Sequence, residues 1–135
     1  MAGKSFTSGG VSLEAQSRDD LLLVDGYGDG GFRLLGRRVE GGVMVLPTGF
    51  YPIEAEDVKS LTANDVVKAR EAAQKPELIL IGTGEKMQLV PSAFKSHLEA
   101  EGIGYDVMDT GAAARTYNVL LIEGRQVAAL LLPVD

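Results

Sequence analysis

The run Leu78-Ile79-Leu80-Ile81 is apolar without a break and ends abruptly at Gly82-Thr83-Gly84. Continuous apolarity over so short a stretch leaves no face for water, so it predicts a central strand covered on both sides. In open α/β sheets, ligands gather beyond the carboxyl ends of such strands. The glycine turn is therefore the first candidate for function. The rival reading is that its glycines only let the chain leave the sheet.

What flanks the run alternates in type. Thr62-Ala63-Asn64-Asp65 opens a helix, with Thr62 as cap and Asp65 as first-turn negative charge. Ala63, Val66, Val67 and Ala73 form its apolar face out to Lys75, and Pro76 stops it. Pro91 suits the first turn of a second helix, where Phe94 and Leu98 share a face and Gly102 lies just past the end. Residues 104–108 read as a strand. Residues 111–123 read as a third helix with Ala112, Thr116, Val119 and Leu120 inward, closed by Gly124. Residues 127–132 are a last buried strand, and Pro133 ends it. Strands alternating with helices predict an open, largely parallel sheet with helices against it.

The chain before residue 60 is glycine-rich with short apolar runs. Residues 32–39 read as strand, and Gly41-Gly42 before Val43-Met44-Val45-Leu46 reads as a β-hairpin turn, since glycine takes positive φ cheaply. Pro47, Gly49 and Pro52 suggest an extended, irregular connection. This part should form a second layer or an edge extension of the sheet.

Several motifs fail on context. Gly26, Gly28 and Gly31 spell the dinucleotide-binding pattern, but strand rather than helix follows, so they read as a flexible strand connection. The turn at Gly82 has Met87 in place of a third glycine, and Lys86 lacks the preceding loop of a phosphate-binding lysine. His97 is the only histidine and there is no cysteine, which removes thiol chemistry and zinc–thiolate sites; no metal or other cofactor is expected. No catalytic constellation is complete, and a G-x-S-x-G elbow is absent. A polar crevice does remain. If residues 78–81 and 106–108 are adjacent strands, Thr83 faces Thr110 across their ends. Gly82, Thr83 and Gly84 would then line one side, and Asp109, Thr110, Arg115, Thr116 and Asn118 the other. Arg115 supplies a cation for an anion or for Asp109. The bland reading is an N-cap and a structural hydrogen-bond network.

Composition narrows the partners. The net charge is −6 over 135 residues. Such an acidic balance, with no basic cluster, argues against nucleic acid and anionic membrane surfaces. No stretch approaches the ~18 apolar residues of a membrane span, and the first ten residues carry neither a signal-peptide core nor a presequence pattern. The expectation is a cytoplasmic protein with no direct membrane insertion.

Taken together, Ile81-Gly82-Thr83-Gly84, Pro91, Val107-Met108-Asp109-Thr110, Thr116-Tyr117-Asn118-Val119-Leu120 and Glu123-Gly124-Arg125-Gln126-Val127 resemble one known family. It is a small, uncharacterised family that includes the third assembly factor of mitochondrial respiratory complex I and the adipogenesis-associated domain proteins. The resemblance runs over roughly residues 20–133. It implies a three-layer α/β domain with a mixed, mostly parallel central sheet, flanking helices and an N-terminal β-hairpin layer. The expected domain spans residues 20–135, after a flexible segment 1–19. The resemblance also implies no established catalysis and action through a protein partner in a membrane-associated complex. Two other functions stay open: a small-ligand (anion or nucleotide) binder or enzyme using the Gly82-Thr83-Gly84 turn and Arg115, and a homo-oligomer joined through the early hairpin edge.

Overall fold

The computed structural model describes residues 21–135; the flexible segment expected over residues 1–19 lies outside them. Among the described residues, eight strands form two sheets. The smaller is antiparallel, in the order β1 (Val24–Gly28), β2 (Gly31–Leu34), β3 (Arg37–Glu40). The larger contains β4 (Val43–Leu46), β5 (Gly49–Pro52), β6 (Leu78–Gly82), β7 (Gly104–Met108) and β8 (Val127–Leu131), in the order β5-β4-β8-β6-β7. β6 is parallel to both β7 and β8, while β4 joins β8 and β5 antiparallel. This is the mixed central sheet expected.

The alternation of side chains divides the core. On one face Leu80, Val127, Ala129 and Leu131 meet the small sheet and α3 (Thr110–Ile122). On the other, Ile79, Ile81, Ala128 and Leu130 meet α1 (Val67–Glu71), α2 (Ser92–Ala100) and short 3₁₀ turns. Three layers result, and the run that opened the sequence reading is apolar because both its faces are inside.

The first half of the chain departs from the sequence reading in several places. The strand expected over residues 32–39 breaks at Leu35-Gly36, whose φ angles of 51° and 73° make a tight two-residue hairpin. Asp29-Gly30 does the same with φ of 53° and 80°, so the glycine-rich stretch is a paired hairpin rather than a loose connection. Gly41-Gly42 is no hairpin turn. It carries the chain from one sheet to the other, because β5 and β8 already occupy both edges of β4. Residues 49–52 are strand, not irregular connection: a two-residue turn at Pro47-Thr48 folds β5 onto β4. Pro52 is tolerated because Ile53 N–H, one residue on, points to Gly42 O, so position 52 faces out of this edge.

Three helices also differ. The one expected from Thr62 to Lys75 is a 3₁₀ turn, Ala63–Val66, followed by the single short helix α1. Ala73 is exposed, and Val66 and Ala69 are the buried positions. Pro76 disfavours helix at the residue before it, and Glu77 N–H is already held by Gln126 O at 2.9 Å. In α3 the buried stripe is Ala113, Ala114, Tyr117 and Leu121, while Val119 is 53% exposed. The frame shifts because Tyr117, the bulkiest side chain of the helix, sets the inward face. Pro91 stands just before α2 rather than inside its first turn.

Candidate functional site

The parallel strands β7, β6 and β8 end side by side, and there the chain draws Gly82, Thr83, Gly84, Asp109 and Thr110 together. Thr83 N–H donates to Met108 O at 2.9 Å, which continues the ladder one residue past β6. Thr110 is fully buried. Its N–H donates to Gly84 O at 2.9 Å, its Oγ1 accepts from Gly84 N–H at 2.9 Å, and its hydroxyl donates to Leu132 O at 2.7 Å. Leu132 N–H in turn donates to Gly82 O at 2.9 Å. One hydroxyl thereby joins the segments that leave three strands.

The glycines have separate reasons. A Cβ on Gly82 would lie 2.8 Å from Thr110 Cα, so only glycine lets α3 start this close to the sheet. Gly84 has φ +108°, a left-handed conformation that reverses the chain. Thr83 Oγ1, almost fully buried, donates to Lys86 O at 2.8 Å and accepts from Gln88 N–H at 3.0 Å. It clamps a short loop whose side chains Met87 and Leu89 are 55% and 82% exposed.

The start of α3 is also engaged. Asp109 Oδ1 accepts from Ala112 N–H at 2.8 Å, placing a carboxylate where the helix dipole favours negative charge. The Tyr27 hydroxyl lies over Gly111, with the Arg115 guanidinium beside it. Arg115 is exposed and Thr116 half-buried. Asn118 turns away from the strand ends: its Oδ1 accepts from Val24 N–H and its Nδ2 donates to Val24 O, both at 2.9 Å. That pair ties β1 of the small sheet to α3. Tyr117 is buried beside it, and desolvation holds its phenol well above the ordinary tyrosine range, hence neutral.

The sequence reading brought five of its eight candidates to one place and misjudged Asn118, whose bond partner lies 94 residues away. It missed Tyr27, which the glycine-rich stretch carried without a helical or strand period to show its direction. It also missed the loop tip at Met87 and Leu89. Chemically, the arrangement presents hydrogen bonds already closed within the chain. Among the described residues, no group of three or more His, Cys, Asp or Glu could hold a metal ion. No helix among them is long and apolar enough to cross a membrane.

An uncharacterised protein of Rhodobacter capsulatus is 38% identical over 113 residues, 84% of this chain and 86% of that one. The human NADH dehydrogenase [ubiquinone] 1 alpha subcomplex assembly factor 3 is 27% identical over 123 residues, 91% of this chain and 67% of that one. The crystal structure of an outer membrane protein from Bartonella henselae superposes with a TM-score of 0.78 at 38% identity, covering 85% of this chain and 97% of that one. Residues 24–132 match a family described as a protein of unknown function (DUF498/DUF598). The chain belongs to that family, which includes relatives of the complex I assembly factor.

Proposed function

We propose that this protein is a non-enzymatic interaction protein that assists the assembly of a respiratory or other membrane-associated complex. The observation that carries this reading is the similarity to the human assembly factor along 91% of the chain. The hydrogen bonding at the strand ends supports it as well. A catalytic or anion-binding crevice needs free donors, and here Gly84 N–H and Ala112 N–H already have partners. In this account Gly82, Thr83, Gly84, Asp109 and Thr110 are a brace. The brace holds the Met87 and Leu89 tip and Arg115 in place as contact points for a protein partner. On this reading the protein works in the bacterial cytoplasm.

Affinity capture from detergent-solubilised native membranes tests the reading. The chain should retain subunits of one membrane-associated complex, and Met87→Asp with Leu89→Asp should lose them while melting unchanged. Capture of nothing above the level of an unrelated acidic protein would contradict it.

A further inference from the structure

Away from the strand ends, a cleft of about 280 Å³ lies between the edge strand β5 and the start of α1. Met44, Ile53 and Val67 give it an apolar lining. Tyr51 supplies an aromatic face, and Lys68 Nζ sits 5.1 Å from the centre of that ring. Asp65 also lines the cleft although it is only 5% exposed. Its carboxylate accepts from Thr62 N–H at 2.9 Å and from Ala55 N–H at 3.3 Å. No lysine, arginine or histidine forms an ion pair with it among the described residues. Glu54 stands exposed at the rim.

Each part favours the same ligand chemistry. A buried carboxylate is costly without a counter-charge, and one N–H on each oxygen leaves acceptor capacity unused. The Tyr51 face already holds an ammonium, so its quadrupole is presented correctly for a cation. Two carboxylates against one ammonium leave the lining net negative. The apolar residues suit a methylene stem, much as a protein surface covers the stem of a lysine or arginine.

We infer that this cleft binds an ammonium or guanidinium group on a short aliphatic stem, which displaces Lys68 from the Tyr51 ring. A free amine and a basic side chain of a partner protein share this chemistry.

Titration of the whole ¹⁵N-labelled chain tests the assignment, with agmatine, acetyl-Gly-Arg-Gly-amide and acetyl-Gly-Glu-Gly-amide as probes. Both cations should give saturable shifts at the amides of Tyr51, Asn64 and Lys68; the acidic peptide should give none. Lys68→Ala removes the competing ammonium and should tighten cation binding roughly two- to fivefold, while Tyr51→Leu should weaken it by a similar factor. Tighter binding of the peptide than of agmatine would support a protein-borne group, and the reverse order a free amine. Absence of saturable shifts with either cation, or loss of binding in Lys68→Ala, would overturn the inference.

Discussion

Thr110 is the residue on which the strand ends depend. Its hydroxyl accepts from one segment and donates to another inside a fully buried site. Thr110→Val keeps the shape and removes both bonds, leaving Gly84 N–H and Leu132 O without that partner. Each such buried group costs ~1–3 kcal/mol, so urea unfolding should show a loss of at least ~2 kcal/mol. Thr110→Ser keeps the hydroxyl and should recover most of it. Equal losses in both variants would mean that the methyl group, not the hydroxyl, carries the effect. Tyr117 is the opposite case. Its hydroxyl is buried and has no hydrogen-bond partner among the described residues. Tyr117→Phe should therefore leave unfolding free energy unchanged within ~1 kcal/mol or raise it; a clear loss would reveal a partner for that hydroxyl.

Among the elements, what the sequence made legible follows local chemistry. The parallel pairing of β6 with β7 was readable from an apolar run, a glycine turn and an N-cap; the expected facing of Thr83 and Thr110 was not met, since Thr110 bonds Gly84 and Leu132 while Thr83 bonds Lys86 and Gln88. Helix ends at Gly102 and Gly124 were readable because both glycines adopt positive φ, 72° and 83°. The Leu35-Gly36 hairpin was not, because leucine is rarely found at φ 51° and carries no turn signal. The role of Gly41-Gly42 was hidden for a different reason. Which sheet β4 joins is decided by β8, more than 80 residues away in sequence. The cleft beside β5 was equally hidden, since its residues come from β4, from β5 and the residues just after it, from the turn before α1 and from α1 itself, and form no motif. Two glycines separate local from tertiary causes. Gly124→Ala meets open space and should cost only the left-handed strain of ~1–2 kcal/mol. Gly82→Ala meets the backbone of Thr110, so it should cost ~1–3 kcal/mol and also displace α3. Hydrogen exchange at Gly84 N–H separates them: faster in Gly82→Ala, unchanged in Gly124→Ala. Faster exchange in both would show that the helix end and the brace are coupled.

For the molecule as a whole, the three-layer α/β architecture and the family were legible from residues 78–132, where strands and helices alternate with clear punctuation. A functional reading was legible only through the family, because Thr83, Asp109, Thr110 and Asn118 spend their side-chain hydrogen bonds inside the fold. The same brace that argues against an open anion site gives the exposed loop a fixed shape, which is what a partner surface requires. The proposed role, assisting assembly of a membrane-associated complex, has a consequence in the cell. Native electrophoresis of solubilised membranes from cells lacking the gene tests it most directly. One respiratory or other membrane-associated complex should fall in abundance while its subassemblies accumulate, and the wild-type chain should restore it. Complexes of unchanged amount and size in the deletion strain would contradict it.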